Sequence, residues 1–287
     1  MGALEVSILC FVGLIGLFVG SFLNVVIFRT PRVCLSVWKH TRSRCPRCGV
    51  QLRWHDNIPV LSWVRLAGRC FNCRTRISMR YPLIELTTAA LFLALFRLDV
   101  GGTEAWGTTP GWSEPWRTFG VHAIVASTLL ALAVIDYDYR ILPDAITIPG
   151  IAIAPLLAFA APGVMPEPVW TPFEGADWNA LANGIAGAAA AGGTLFALGW
   201  GATKVFRKDA MGLGDVKLFA GMGGLLGIWA LFALLVACFL GSVVGIAVLL
   251  VKRDRYVPFG PFLAAGTMVT SLWGPALLDE IARLAAR

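Results

Sequence analysis

The chain has 287 residues, of which 57% are hydrophobic and 14% are charged. Soluble domains average about 25% charged residues, so this composition excludes an ordinary water-soluble globular protein and indicates a multi-pass membrane protein. The net charge of +7 is uneven, because 12 of the 24 lysines and arginines lie at residues 29–80, against one acidic residue, Asp56. Since this basic stretch directly follows an apolar segment, retention in the cytoplasm is favoured over binding to nucleic acid.

The first predicted membrane span is the uncharged run at residues 6–28. Its 23 residues exceed the roughly 7–15 of a signal-peptide core, and no clean cleavage site follows, so we expect the span to be retained. Asn24 lies in this span, and a buried amide needs a hydrogen-bond partner. The sequence therefore predicts contact between this face and another helix.

Residues 29–82 are predicted to form a small soluble domain around a metal ion. Two C-x2-C pairs are separated by 21 residues and consist of Cys45, Cys48, Cys70 and Cys73. Disulfides are disfavoured in the cytoplasm, and four thiolates suit a closed, tetrahedral zinc site. A domain of this size has little core of its own, so a structural zinc ion is the favoured interpretation, and incidental free thiols are the alternative.

Seven further spans are predicted, at residues 83–98, 118–135, 145–161, 179–201, twice within 218–251, and at 258–278. The uncharged run of 34 residues at 218–251 would form a helix of about 51 Å at about 1.5 Å per residue, against a hydrocarbon core of about 30 Å. We therefore expect a break around residues 223–227. The Gly-, Trp- and Pro-rich stretch at 99–117 is predicted to be an outer loop.

Eight spans give the chain an orientation that the charges support. Residues 29–82, 137–143, 202–214 and 252–257 then share one side and hold 19 of the 24 lysines and arginines. The acidic loop at 163–178 falls on the other side. Because positive charge is retained inside, the basic side is predicted to face the cytoplasm.

Two aspartates fall at the cytoplasmic ends of predicted spans. Asp136 ends the third span, and Asp215 begins the sixth, after Gly212 and Gly214 and before Lys217. Two close carboxylates share a proton, so the ionised one can activate water while the protonated one polarises a scissile carbonyl. This is the chemistry of aspartic proteases. A helix-start role for Asp215 and proton-coupled transport by the pair are the alternatives.

Asp138 and Asp144 compete with Asp136 for the role of the first carboxylate. Residues two apart do not share a helix face, so Asp136 and Asp138 cannot both face Asp215 if the helix continues. Asp144 follows Pro143 and precedes an apolar run, which is typical of a helix start, with capping as its simplest role.

Residues 212–218, Gly-Leu-Gly-Asp-Val-Lys-Leu, resemble the GxGD motif of the type IV prepilin peptidases. Asp136, seven residues before Pro143, resembles the other motif of that family. The resemblance covers most of the chain in order, except for residues 99–117, and includes residues 20–27, the paired cysteines and residues 57–63, 80–85 and 258–262. It implies that Asp136 and Asp215 are the catalytic pair.

The resemblance implies a bifunctional enzyme of the bacterial inner membrane. Such enzymes cut the short basic leader of type IV prepilins or type II secretion pseudopilins after a glycine, and then methylate the new N-terminal residue with S-adenosylmethionine. The apolar runs predict an all-α polytopic membrane protein with about eight transmembrane helices, and the resemblance agrees with this fold. Its parts would be a first transmembrane helix at 1–28, a cytoplasmic zinc-ribbon-like domain at 29–82 and a membrane peptidase domain at 83–287.

The methyl-transfer residues stay unassigned, because the sequence has no glycine fingerprint of a dinucleotide-type fold. Two other functions are weighed against the enzyme. A zinc-containing membrane scaffold would not need two aspartates at one depth. A proton-coupled transporter would be expected to carry charges near the midplane and paired broken helices.

Overall fold

The computed structural model describes residues 3–32, 43–45, 47–101, 113–207, 212–252 and 257–285. These ranges contain nine α-helices: α1 Ala3–Arg29, α2 Leu61–Arg65, α3 Arg80–Asp99, α4 Ser113–Tyr139, α5 Asp144–Ala160, α6 Ala176–Phe206, α7 Leu213–Leu226, α8 Ala230–Lys252 and α9 Gly260–Ala285. The described residues contain no β-strand, only two isolated bridges. The all-α fold class is therefore confirmed.

Six segments of the described chain are long and apolar enough to cross a membrane. Five are α1, α3, α4, α6 and α9, and the sixth is the 39-residue segment Leu213–Val251. That segment is interrupted by a 3-10 turn at Gly227–Trp229, which separates α7 from α8 and confirms the predicted break. Gly227 adopts a φ of 61°, which glycine tolerates far better than other residues. Together with the shorter apolar helix α5, these helices correspond one to one with the eight predicted spans.

The predicted outer loop at 99–117 is partly helical. Helix α4 begins at Ser113, and Arg117 forms an ion pair with Glu114 one turn earlier, at 3.5 Å. Hydropathy identified only the apolar part of this helix, so its charged first turn was assigned to the loop. Residues 102–112 lie outside the described ranges.

The chain divides into two compact units, and the first contains Met1–Pro110 and Ala123–Ala131. Within it, α1 and α3 pack antiparallel through small residues. A Cβ atom on Gly16 or Gly20 would lie 2.6 Å from the Cα of Ala89 or Glu85, respectively. This GxxxG spacing brings the two backbones close together, as in many membrane helix pairs.

Asn24 makes the interhelical contact that its position in α1 predicted. Its side-chain Nδ2 donates a hydrogen bond to the main-chain oxygen of Tyr81 in α3, at 3.1 Å. The bond satisfies the amide and fixes the register of the two helices.

The second unit contains Gly111–His122 and Leu132–Arg287. In it, α7 packs against α6 through glycines: a Cβ atom on Gly187 or on Gly223 would overlap the carbonyl oxygen of the other residue. Helices α5 and α7 run parallel, since Gly221 lies beside Gly150 and Gly224 beside Pro155. Their first turns therefore lie side by side.

The end of the second unit that carries these first turns also holds the last turn of α4 and the first turn of α9. Three contacts join the four segments there: Leu142 with Gly214, Asp144 with Lys217, and Asp136 with Gly260. The acidic residues of both predicted motifs thus lie at one end of one helical unit.

Candidate active site and metal site

Asp136 lies in the last turn of α4 and is 7% exposed. Its Oδ2 accepts a hydrogen bond of 2.9 Å from the main-chain N–H of Gly260, the first residue of α9. A helix N-terminus carries partial positive charge, so this position stabilises a carboxylate. A Cβ atom at residue 260 would lie 2.6 Å from Oδ2, so a larger residue there would displace the carboxylate.

Gly260 lies in one of the stretches that carry the family resemblance, residues 258–262, but no function could be predicted for it from the sequence alone. The signal that could have identified it is a glycine between Phe259 and Pro261 at the start of an apolar run, where a helix N-terminus is expected. What the sequence could not supply is the partner, which lies 124 residues earlier in the chain.

Asp215 lies in the first turn of α7 and is partly buried. Gly212 precedes the helix in an extended conformation, with φ −73° and ψ 136°. The carboxylates of Asp215 and Asp136 are close enough to interact electrostatically. The structure therefore places the two predicted residues at the same end of the second unit, within electrostatic range of each other.

Gly214 and Lys217 fix the start of α7 against the segment that leads from α4 to α5. A Cβ atom on Gly214 would lie 3.0 Å from the Cβ of Leu142, which leaves little room for a larger residue. Lys217 Nζ forms an ion pair of 2.7 Å with Asp144 Oδ1. Asp144 begins α5 as predicted, but its carboxylate pairs with Lys217 instead of capping its own helix.

Asp138 differs from Asp136 in its environment. Asp138 is exposed, whereas Asp136, two residues earlier on the same helix, is buried. Since residues two apart point in different directions on a helix, only Asp136 lies against the first turn of α9.

The four paired cysteines come together in the first unit. The sulfur atoms of Cys45, Cys48, Cys70 and Cys73 all lie within 4.8 Å of one another. The Sγ atoms of Cys45 and Cys73 are 3.8 Å apart. A zinc–sulfur distance of about 2.3 Å in a tetrahedron requires sulfur atoms about 3.8 Å apart, so the cluster fits a tetrahedral zinc ion.

The two cysteine pairs have the same local structure. An isolated antiparallel bridge encloses each pair, formed by Arg44 with Gln51 and by Arg69 with Arg76. In both, the main-chain N–H of the first cysteine donates to a carbonyl beyond the second: Cys45 to Val50 at 3.0 Å, and Cys70 to Thr75 at 2.9 Å. These turns hold the two sulfur atoms of each pair close together.

Hydrogen bonds also favour the thiolate form of one of the four sulfurs, that of Cys48. The main-chain N–H of Val50 and then the side-chain amide of Asn72 lower the pKa of Cys48 to about 6. Asn72 Nδ2 lies 3.7 Å from Cys48 Sγ. At neutral pH this sulfur is therefore ready to act as a ligand.

Two family models match the chain. The Bacterial Peptidase A24 N-terminal domain matches residues 14–98, and the Type IV leader peptidase family matches residues 123–246. The cysteine cluster lies in the first range, and Asp136 and Asp215 lie in the second.

Relatives from several bacteria are similar to almost the whole chain. Proteins named prepilin leader peptidase/N-methyltransferase from Pseudomonas putida and from Aeromonas salmonicida are both 34% identical, over 93% and 92% of this chain, respectively, and 90% of each relative. The protein of that name from Myxococcus xanthus is 40% identical over 84% of this chain and 63% of its own length. No solved structure matches the chain.

Proposed function

Because the chain belongs to the type IV leader peptidase family, we propose that it is a membrane aspartic endopeptidase and N-methyltransferase. It removes the leader of type IV prepilins or type II secretion pseudopilins and methylates the new N-terminal residue, with S-adenosylmethionine as a second substrate. The observation that supports the peptidase activity most directly is the proximity of the Asp136 and Asp215 carboxylates at one end of the second unit.

The surroundings of the two aspartates suggest different roles. Asp136 accepts the N–H of Gly260 at the start of α9, which stabilises its ionised form, so Asp136 is the general base that takes a proton from water. Asp215 is then the protonated partner that polarises the scissile carbonyl. The water oxygen bonds to the carbonyl carbon while the carbonyl oxygen accepts the proton of Asp215. The C–N bond then breaks, the leaving amine takes up the proton that Asp136 received from water, and Asp215 regains its own proton.

The four cysteines are assigned to a structural zinc ion in the domain at residues 29–82. Four thiolates complete a tetrahedral shell, so no position is left for a substrate or for water. The zinc ion therefore supports folding and takes no part in peptide cleavage. The remaining parts of the chain are a first transmembrane helix at 1–28 and the peptidase domain at 83–287.

The protein is proposed to lie in the bacterial inner membrane with the aspartate pair and the zinc domain facing the cytoplasm. The distribution of lysine and arginine supports this orientation. A reporter inserted after Arg207 should be active only if it is a cytoplasmic reporter, and one inserted at Gly175 only if it is a periplasmic one. The opposite pattern in paired fusions would reverse the proposed orientation.

Gly260→Ala should lower the cleavage rate by about 100-fold. The new Cβ would lie 2.6 Å from Asp136 Oδ2, and a displacement of a reacting group by about 1 Å can cost that much. Gly245→Ala in α8 is the matched control, because a Cβ there meets no atom within 4 Å. Initial rates on a prepilin would measure both. Wild-type cleavage by Gly260→Ala would show that Asp136 does not need this support.

The proposed function is tested by incubating membranes that contain the protein with a prepilin, with and without S-adenosylmethionine. Intact mass and N-terminal sequencing of the pilin should show loss of the leader in both samples, and one added methyl group only in the second. An unchanged prepilin mass, with the protein present in the membrane, would reject the enzyme and favour a scaffold.

A further inference from the structure

Three acidic residues are buried in the described parts of the chain: Asp56, Glu85 and Asp136. Asp56 is neutralised by ion pairs with Arg53 and Arg65. Asp136 belongs to the proposed peptidase pair. The remaining carboxylate, that of Glu85, is used by neither the zinc site nor the peptidase.

Glu85 lies in α3 of the first unit and is 7% exposed. Its Oε2 accepts the main-chain N–H of Val60 at 2.7 Å, and the carboxylate also accepts the hydroxyl of Ser21. No lysine or arginine of the described chain pairs with it. A carboxylate can accept about four hydrogen bonds, so this one has capacity for a further donor. An ionisable group without a counter-charge in a membrane helix is a functional-site candidate.

The residue that donates to Glu85 has a strained backbone. Val60 has φ 59° and ψ −51°, and the N–H of Leu61 donates to the carbonyl of Pro59 across it. This is the rarer form of γ-turn, and it is especially unfavourable for a β-branched residue. Such strain persists where the surroundings enforce it, and it is concentrated at functional sites.

Three sequence motifs that the proposed cleavage mechanism does not use come together at this carboxylate. Residues 20–27, 57–63 and 80–85 all lie in the first unit, within the range that the N-terminal family model matches. Because Gly20 has no side chain, the backbone of α1 lies directly against the backbone of α3 at Glu85. A Cβ atom on Gly20 would lie 2.6 Å from the Cα of Glu85. Val60 brings the second motif to the same carboxylate.

We propose that Glu85 is the general base for methyl transfer and binds the ammonium group of the pilin's new N-terminal residue. This inference rests on the methyltransferase half of the proposed function. Glu85 takes one proton from the ammonium, and the freed lone pair of nitrogen forms a bond to the methyl carbon. The carbon–sulfur bond of the sulfonium donor breaks, its electron pair stays on sulfur as a thioether, and the proton passes from Glu85 to water.

Both reactants carry a positive charge, the pilin as an ammonium group and the methyl donor as a sulfonium group. We assign the ammonium group to Glu85 because of its hydrogen-bond donors. A primary ammonium has three N–H donors that can occupy the free lone pairs of the Glu85 carboxylate. The reacting sulfonium group has no N–H or O–H donor, and the α-ammonium group of the methyl donor keeps its protons throughout the transfer, so it needs no base. The amine also has a proton that must leave before nitrogen can attack, which requires a base.

Glu85→Gln in the full-length protein tests the proposal. An amide oxygen can still accept the N–H of Val60, so the turn is kept while the charge is removed. With a prepilin and S-adenosylmethionine, we expect cleavage and zinc content within about twofold of wild type and methylation at least 100-fold slower, since a general base contributes about 10²–10⁴-fold. Photolabelling by radioactive S-adenosylmethionine should be unchanged. Glu5→Gln, which removes a partly exposed carboxylate paired with Arg97 in the same unit, should methylate normally.

Four outcomes would overturn the proposal. Methylation by Glu85→Gln at the wild-type rate would exclude a base at this position. Equal losses of cleavage and methylation would make Glu85 a structural residue or a site for the basic leader. Loss of photolabelling would move the role of Glu85 to the methyl donor. Absence of methylation by wild-type protein that cleaves normally would reject the methyltransferase half of the proposed function, and this inference with it.

Discussion

Asp136→Asn and Asp215→Asn should each abolish prepilin cleavage while the protein stays inserted and retains zinc. An amide cannot take a proton from water or share one with a carboxylate, so each substitution removes a general acid–base group. Such groups contribute about 10²–10⁴-fold, and loss of either member should cost at least that. Initial rates of cleavage, with zinc content as a measure of folding, would test both variants.

The neighbouring aspartates provide matched controls. Asp138→Asn changes an exposed residue on the same turn as Asp136, and Asp144→Asn removes an ion pair with Lys217 that is largely open to solvent. Exposed ion pairs contribute about 0–1 kcal/mol, so both variants should cleave within a few-fold of wild type. If Asp138→Asn were inactive and Asp136→Asn fully active, the first carboxylate would have to be reassigned.

Cys45→Ser or Cys70→Ser should destabilise residues 29–82 and impair methylation more than cleavage. Both sulfurs are buried in the four-cysteine cluster, and structural zinc sites contribute apparent binding free energies of about 10–16 kcal/mol. The two aspartates lie in the other compact unit, so cleavage should be less affected. Zinc content, protease sensitivity of the domain and the two reaction rates would be measured together.

Cys10→Ser and Cys238→Ser are the controls for that experiment, because both thiols are exposed and neither belongs to the cluster. They should leave the zinc content and both rates unchanged. Equal zinc content in the wild type and in a variant with all four cluster cysteines replaced by serine would reject the metal assignment.

Much of the fold followed from local patterns in the sequence. Uncharged runs are set by the thickness of the bilayer, so they predicted α1 and α3–α9, including the break at Gly227. The C-x2-C spacing predicted the cysteine cluster, since each pair is closed by a short turn. Counting spans placed Asp136 and Asp215 on one side of the membrane.

Contacts between distant segments could not be predicted in this way. The hydrogen bond from Gly260 to Asp136 and the ion pair of Lys217 with Asp144 depend on which helices are neighbours. The packing of small residues, such as Gly187 against Gly223, decides which helices are neighbours. The hydropathy of a sequence carries no information on that packing. Asp144 begins α5 as expected, but its carboxylate pairs with Lys217 of the parallel helix α7, a partner that the sequence pattern could not identify.

The most direct test of the central claim is a double-mutant cycle on Asp136 and Asp215, measured as the single-turnover rate of prepilin cleavage. If the two carboxylates act as one catalytic unit, replacing either with asparagine removes the function of both. The rate of Asp136→Asn/Asp215→Asn should then equal that of each single variant. Partial activity in each single variant, with losses that multiply in the double variant, would contradict a shared catalytic role.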